Sequence, residues 1–298
     1  MALKILCFLS LLAFCHARVL PTIVNGNDAK PGEIPYQVSL QRKYYSIHFC
    51  GGSILNDYYV ITAAHCVDGR NAKDIKVVAG TINLTQPKSE HNVVRIIIHE
   101  EYNAKNSWIN DIALLKTDRS FEKFERVLLP PKGYVVKPND IAVMSGWGRL
   151  WEGGPTTVKL QRVNILIADQ IYCKYIYNNI GYNVHPTQVC AYDPSIEKGS
   201  CQGDSGGPLT VDGKLVGLVS WAEGCSGISY PTVCTRVASY LDWINTQLAR
   251  PANITYRKSF IAKIISILKT ILKQVTAFAL FFKNFYPVTC IKYASYYL

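Results

Sequence analysis

The stretch that decides the fold reads Ser200-Cys201-Gln202-Gly203-Asp204-Ser205-Gly206-Gly207-Pro208-Leu209. Its serine at position 205 stands between an aspartate and two glycines, which is poor material for a helix or a strand interior and typical of a tight loop. Such a loop exposes several backbone N–H groups around one hydroxyl. Acyl-transfer chemistry needs that combination, because it uses a nucleophile with hydrogen-bond donors for an oxyanion beside it. An ordinary glycine-rich turn has the same composition, so the interpretation depends on the rest of the chain.

The composition is that of a globular protein with one or two domains: 298 residues, 49% hydrophobic and 18% charged. The formal net charge of +11 is unevenly distributed. Residues 249–298 contain eight Lys and Arg and no acid, whereas residues 23–248 contain 22 basic and 21 acidic side chains. Because the central part is almost neutral, we expect no nucleic-acid partner for it.

The N-terminus has the pattern of an export signal. Lys4 precedes an apolar run at 5–14, and Ala17 offers a small residue for cleavage. The apolar run is too short to span a bilayer. We interpret residues 1–17 as a secretory signal peptide and expect a secreted, extracellular protein, with an N-terminal membrane anchor as the alternative.

Eight cysteines follow the signal, and in an exported chain they favour disulfides over zinc. The spacing of cysteine and histidine does not match a metal-binding motif, so we expect no metal and no cofactor. Asn83 and Asn253 each begin an Asn-x-Thr sequon and are candidate glycosylation sites.

Between residues 36 and 236, short runs rich in β-branched and aromatic residues alternate with turn residues, for example at 58–62, 75–79 and 215–221. Many short strands at this spacing predict an antiparallel sandwich or barrel, and there are too many runs for one small barrel. We therefore predict an all-β fold of two packed antiparallel β-barrels, at about residues 23–120 and 136–236. Apolar residues at helical spacing predict a helix over 237–248.

A serine nucleophile needs a base, and the base needs an acid that orients it. His65 follows an apolar strand and small residues in Ala63-Ala64-His65-Cys66, and Asp111 begins a hydrophobic run that would bury its carboxylate against an imidazole. Each alone has a plainer interpretation, as a structural histidine or a strand-edge aspartate. Their occurrence together, in the order histidine, aspartate, serine and behind an export signal, favours catalysis.

These segments give the chain a family resemblance over roughly residues 23–248. The chain resembles the chymotrypsin-like (trypsin-type) serine proteases, of the invertebrate type with three family disulfides. The resemblance implies two Greek-key barrels in a protease domain at 23–249, and a serine endopeptidase that hydrolyses peptide bonds through an acyl-enzyme. The motifs that carry it are Ile23-Val24-Asn25-Gly26, Cys50-Gly51-Gly52-Ser53, Ala63-Ala64-His65-Cys66, Asp111-Ile112-Ala113-Leu114-Leu115, Gly146-Trp147-Gly148, Gly203-Asp204-Ser205-Gly206-Gly207-Pro208 and Ser220-Trp221.

The resemblance also assigns roles to residues. It makes Ser205 the nucleophile, His65 the base and Asp111 the residue that orients the base. The N–H groups of Gly203 and Ser205 would form the oxyanion hole. The edge strand that pairs with the substrate would be Ser220-Trp221-Ala222. The implied disulfides are Cys50–Cys66, Cys173–Cys190 and Cys201–Cys225, which leaves Cys234 and Cys290 to pair with each other, stay free or link to a partner.

The resemblance further implies a zymogen, in which a new N-terminal ammonium at Ile23 pairs with Asp204 and orders the oxyanion loop. Residues 18–22 would be a short activation propeptide. Trypsin-type zymogens carry Arg or Lys before this isoleucine, whereas this chain has Thr22. We therefore expect a non-tryptic activating protease that cleaves the Thr22–Ile23 bond. The other expected partners are protein or peptide substrates, with protein inhibitors as candidates.

Three positions bear on specificity. Gly199 stands where trypsins carry the aspartate that binds Lys or Arg, while Ala222 and Thr232 replace the two glycines of the pocket wall. We predict small to medium aliphatic P1 residues, with chymotrypsin-like Leu, Phe or Tyr as the second choice. Glu197 and Glu223 could attract a cation at the rim, but we interpret them as solvated charges.

Residues 250–298 form a basic amphipathic C-terminal extension. On a helix of about 100° per residue, the apolar residues and the lysines of 258–276 lie on opposite faces. A basic amphipathic helix suits a membrane surface, so membrane association is one hypothesis. The alternatives are docking on the protease, removal of the tail, or read-through of non-coding sequence. The competing function is a catalytically silent family member that acts as a binding or membrane-active secreted protein.

Overall fold

The computed structural model describes residues 25–225 and 227–250, together with Leu268. The predicted signal peptide and propeptide, Ile23, Asn253, Cys290 and nearly all of the C-terminal extension lie outside the described residues. The chain divides into two compact units, residues 1–242 and 243–298, and both barrels belong to the first unit. Within the described residues, no helix has the length and apolar character needed to cross a membrane.

Strands dominate the described chain. The two α-helices are α1 (Gln170–Asn178) and α2 (Leu241–Ala249), and a 3-10 turn at Val237–Tyr240 precedes α2. The strands in chain order are β1 (Asn27–Asp28), β2 (Gln37–Arg42), β3 (Ile47–Ile54), β4 (Tyr59–Thr62), β5 (Ile75–Ala79), β6 (Ser89–Ile98), β7 (Ala113–Thr117), β8 (Ile141–Gly146), β9 (Gln161–Ile167), β10 (Gln188–Tyr192), β11 (Pro208–Val211), β12 (Lys214–Trp221) and β13 (Thr232–Arg236).

The strands form two closed antiparallel barrels of six strands each. The first has the order β2-β3-β4-β7-β6-β5, and β5 pairs back with β2. The second has the order β9-β10-β13-β12-β11-β8, and β8 pairs back with β9, to which β1 adds a short edge. The predicted all-β fold of two Greek-key barrels with a C-terminal helix is confirmed. Helix α1, which begins after the N-cap Asp169, is an addition that the strand pattern did not predict.

Side-chain alternation explains why these segments are strands. In β9, Val163, Ile165 and Ile167 are buried and Asn164 between them is exposed, as expected when successive side chains point to opposite faces of a sheet. Each aliphatic side chain buried in this way contributes about 1.5–3 kcal/mol to the stability of the fold. The first barrel encloses a core that includes Val38, Leu40, Val60, Val77, Leu115 and Phe121.

Covalent and polar links fix the loops that emerge from the barrels. The disulfides Cys50–Cys66, Cys173–Cys190 and Cys201–Cys225 are present, as the resemblance implies. Cys234, whose pairing the sequence left open, is a buried free thiol. Two buried residues join the barrels, because the Ser145 hydroxyl donates to Gln37 Oε1 at 2.6 Å.

Candidate active site

The register between β4 and β7 brings His65 and Asp111 together. Thr62 at the end of β4 pairs with Ala113 at the start of β7. His65 lies three residues beyond Thr62, in the 3-10 turn Ala64–Cys66, and Asp111 lies two residues before Ala113. Antiparallel pairing therefore places the two side chains at the same end of the first barrel, although 46 residues separate them.

The Asp111 carboxylate is fully buried and accepts three hydrogen bonds. Its Oδ1 accepts the backbone N–H of His65 at 2.8 Å. Its Oδ2 lies 2.7 Å from His65 Nδ1 and accepts the Ser220 hydroxyl at 2.5 Å. Because a carboxylate oxygen only accepts, Nδ1 carries a hydrogen, and His65 presents Nε2 as the nitrogen able to take a proton.

The Ser205 loop is held against the first barrel through its backbone. The Ser205 carbonyl accepts the N–H of Gly51 at 2.8 Å. Gly206 has φ +74°, and a Cβ on it would lie 2.1 Å from Thr62 Oγ1, so only glycine fits here. Within the described residues, Ser205 Oγ makes no hydrogen bond to His65. Such catalytic contacts are often long before substrate binds.

The oxyanion donors are oriented by their peptide planes. The carbonyls of Gln202 and Asp204 each accept a backbone N–H, at 2.8 and 2.9 Å. In a trans peptide the C=O and N–H bonds point in opposite directions, so the N–H groups of Gly203 and Ser205 point away from those contacts. In residues 25–225 and 227–250, neither N–H donates a hydrogen bond. Both donors are therefore available to a ligand.

A half-buried histidine supports the Ser205 loop, and sequence reasoning missed it. His48 Nε2 lies 2.9 Å from the Gly203 carbonyl, and His48 Nδ1 lies 2.8 Å from Ser39 Oγ. Because a carbonyl accepts, Nε2 carries the hydrogen and the Ser39 hydroxyl donates to Nδ1. Burial lowers the pKa of His48 to about 4, so the ring is neutral at physiological pH. The contact to Gly203 spans 155 residues, which no local motif reveals.

Asp204 is a second fully buried carboxylate, and it accepts fewer hydrogen bonds than Asp111 does. It accepts the backbone N–H groups of Gly148 at 2.8 Å and Cys201 at 3.0 Å. Burial raises its pKa to about 7, against the opposing effect of these two bonds. A Cβ on Gly146 would lie 2.1 Å from Asp204 Oδ1. The glycines of the Gly146-Trp147-Gly148 motif therefore make room for this carboxylate.

Two of the predicted specificity positions have well-defined local geometry. Ser200 Oγ and Thr232 Oγ1 lie 3.0 Å apart, and both residues are buried. Gly199 has φ +141°, a backbone conformation that favours glycine. The neighbouring Lys198 forms an ion pair with Asp193 at 2.5 Å. The Asp193 carboxylate thus compensates the charge of Lys198.

Aromatic side chains pack on the strand that is predicted to bind substrate. Trp221 stacks on Trp108 with ring centroids 5.7 Å apart, and Tyr177 and Tyr182 contact Trp221 at 4.6 and 5.4 Å. Trp108 has φ +49°, which is unusual for a bulky residue. Sequence reasoning missed this cluster as well, since its members come from two loops, helix α1 and strand β12.

A cluster of possible ligand atoms and a candidate glycosylation site also lie in the described chain. Ligand atoms of Cys50, His65 and Cys66 lie within 4.8 Å of one another, but the two sulfurs are bonded in a disulfide and cannot act as thiolates for a metal. The candidate glycosylation residue Asn83 is partly exposed, and its Oδ1 accepts the hydroxyl and the backbone N–H of Thr85.

The pKa of His48 predicts how stability depends on pH. Unfolded protein binds a proton at His48 as the pH falls below 6.5, whereas the folded protein resists protonation until about pH 4. The free energy of unfolding therefore decreases as the pH falls from 6.5 to 4, by up to roughly 3 kcal/mol from this residue. In His48→Gln the amide can make both hydrogen bonds without titrating, so we expect a flatter profile.

Urea unfolding from pH 4 to 8 measures this effect. Asp204 contributes a slope of opposite sign, because its carboxyl binds a proton in the folded state at a pH where the unfolded chain does not. The contribution of Asp204 is the same in the wild type and in His48→Gln. The difference between their free energies of unfolding therefore reports the effect of His48 alone. Parallel profiles for the wild type and the variant would contradict the prediction.

Comparison with known sequences agrees with this architecture. The sequence model of the trypsin family matches residues 23–244. The chain is 40% identical to "Trypsin Blo t 3" of Blomia tropicalis, over 74% of this chain and 84% of that protein. It is 38% identical to "Chymotrypsin-2" of Vespa crabro, over 74% of this chain and 98% of that protein. It is 39% identical to "Trypsin epsilon" of Drosophila erecta, over 81% of this chain and 97% of that protein.

The match covers most of the chain, includes both barrels and contains every described residue of the candidate site. The chain therefore belongs to the trypsin family of serine endopeptidases.

Proposed function

We propose that this endopeptidase is secreted as a zymogen and cuts peptide bonds with a triad of Ser205, His65 and Asp111. The observation that carries the proposal is the buried Asp111 carboxylate, which fixes His65 Nδ1 at 2.7 Å and leaves Nε2 to act as the base. The sequence pattern of residues 1–17, the sequons at Asn83 and Asn253 and the three disulfides support an extracellular site of action.

In the proposed reaction, Ser205 Oγ attacks the carbonyl carbon of the scissile bond while its proton passes to His65 Nε2. The imidazolium is stabilised by Asp111, which is already desolvated and oriented. The negative oxygen of the tetrahedral intermediate accepts the N–H groups of Gly203 and Ser205, each worth about 3 kcal/mol of barrier. His65 then gives its proton to the departing amine, which leaves an acyl ester on Ser205. Water hydrolyses this ester by the same steps, with His65 as base.

Activation is proposed to depend on Asp204. Among the described residues, Asp204 has two backbone donors and no cationic partner, and its pKa is about 7. A new ammonium at Ile23, released by cleavage after Thr22, would supply it. The side chain of Asn25, two residues further on, donates to the Glu197 carbonyl at 2.6 Å, which anchors the start of the chain to the second barrel.

The pocket supports apolar P1 side chains. Gly199 brings no charge, and Lys198 is paired with Asp193. Ser200 and Thr232 contact each other through their hydroxyls, so the buried wall lacks a charge for Lys or Arg. The β-branched Thr232 narrows the slot, which favours small to medium aliphatic residues over large aromatic ones. The related proteins carry both trypsin and chymotrypsin names, so names do not decide the preference.

Substitution of the triad tests the mechanism. We expect Ser205→Ala to abolish peptide hydrolysis, and Asp111→Asn to lower kcat by a factor on the order of 10⁴ because the imidazole loses the acceptor that fixes its tautomer. Steady-state kinetics on a chromogenic peptide measure both. Ser120→Ala, at a surface serine, serves as the control and should keep full activity. Appreciable turnover by clean Ser205→Ala protein would refute the assignment.

Activation is tested at the cleavage bond. N-terminal sequencing of active enzyme should begin at Ile23, and Thr22→Arg should make the zymogen activatable by trypsin. Cleaved Asp204→Asn should keep its fold but lose most of its activity, since the ammonium has no carboxylate to bind. An active form that starts at Val19 would rule out this activation scheme.

Specificity is tested with peptides that differ only at P1. We expect Ala, Val and Leu to be preferred over Phe, and Lys or Arg to be cut poorly. Thr232→Gly should raise kcat/KM for Phe relative to Val by removing the β-branched wall, whereas Thr232→Ser keeps the hydroxyl pair and should change the ratio less. A wild-type preference for Arg would overturn the proposal.

A further inference from the structure

A cavity of about 330 Å³ lies on the first barrel beside the Cys50–Cys66 disulfide. The hairpin between β2 and β3 forms one side and the residues after His65 form the other. Its lining residues are Arg42, Tyr44, Tyr45, Phe49, Gly69, Arg70, Asn71, Asp74 and Ile75.

Contacts of Arg70 link the cavity to the segment that carries His65. The Arg70 guanidinium stacks over Phe49 at 4.4 Å, and its Nε donates to the Cys66 carbonyl at 2.8 Å. Cys66 follows His65, and Phe49 precedes Cys50 on the same strand that supports the Ser205 loop. These contacts hold one guanidinium in place while its two terminal nitrogens stay available.

The residues that line this cavity carry an excess of positive charge. Within residues 25–225 and 227–250, neither Arg42 nor Arg70 forms an ion pair. Burial and the like charge of Arg42 both lower the pKa of Arg70. Asp74 lines the cavity as its single carboxylate against two guanidiniums. An anionic ligand would relieve the repulsion and accept hydrogen bonds from both arginines.

The position of the cavity indicates which part of a substrate reaches it. The acyl half of a peptide would occupy the Gly199 pocket and the strand at Ser220-Trp221-Ala222, in the second barrel. His65 gives its proton to the departing amine, so the other half must extend over the first barrel, past Cys50–Cys66. An extended chain advances about 3.3 Å per residue, which brings the second to fourth residue after the scissile bond to Arg70.

We propose that the cavity formed by Arg42, Tyr44, Tyr45, Phe49 and Arg70 binds an acidic side chain of the substrate, two to four residues after the bond that is cut. This inference rests on the proposed function, because that function sets the direction of the peptide. The exposed rings of Tyr44 (78%) and Tyr45 (73%) flank the guanidiniums and cover the aliphatic stem of the bound residue.

The test uses internally quenched peptides that share the residues before the scissile bond and differ in the residues after it. Asp or Glu at the second to fourth positions should raise kcat/KM about fivefold over Asn or Gln, as expected for a partly exposed ion pair worth up to 1 kcal/mol. Arg42→Gln and Arg70→Gln should bring this ratio towards one, and Arg70→Lys should retain most of it. Lys137→Gln, which removes a distant exposed charge, should leave it unchanged.

Two further measurements distinguish a failure of the cavity proposal from a failure of the proposed catalytic function. An anilide substrate has no leaving peptide to reach the cavity, so its hydrolysis by the wild type reports whether the proposed catalytic function itself holds. The Kd of acidic and amide peptides for Ser205→Ala protein measures the cavity without turnover, and the acidic peptide should bind about fivefold more tightly. Equal Kd values, equal rates in the wild type, or a ratio that survives both glutamine variants would each overturn the proposal.

Discussion

The structure depends on one buried carboxylate. Asp111 has no exposed surface, yet it lies where the two barrels meet and accepts donors from both: the backbone and ring of His65 on one side and the Ser220 hydroxyl on the other. Its own carbonyl accepts the Thr235 hydroxyl at 2.7 Å. Burying an isolated carboxylate is costly, so the fold is stable only if these donors are in place. The same contacts therefore hold the two barrels together and orient the ring of His65.

Asp204 shows what happens when the same kind of group is less well satisfied. It is equally buried but has two backbone donors and no side-chain donor in the described residues, and burial raises its pKa to about 7. The fold thus supplies hydrogen-bond donors that compensate the charge of Asp111, whereas the charge of Asp204 requires a cation. In the proposed zymogen, this contrast would allow catalysis to be controlled at Asp204 while the His65–Asp111 pair stays assembled.

Local sequence indicated the residues of the proposed triad but not those that support them. His65, Asp111 and Ser205 stand in short motifs whose composition already restricts the backbone, and strand alternation predicted the barrels. His48, Ser39 and Trp108 have no such signature, because their roles arise from contacts across the barrels, such as the bond from His48 to Gly203 over 155 residues. Helix α1 was missed because its aromatic, partly exposed residues differ little from those of the neighbouring strands.

Charge acts locally in this protein. Residues 23–248 are almost neutral, with 22 basic and 21 acidic side chains, so the domain as a whole has little net field to attract a substrate of either sign. Exposed charges act over about 8–10 Å at physiological ionic strength. The two guanidiniums beside Cys66 can therefore favour a carboxylate only close to the scissile bond. With the neutral P1 pocket that we propose, charge selection would act on the departing half of the substrate and apolar selection on the acyl half.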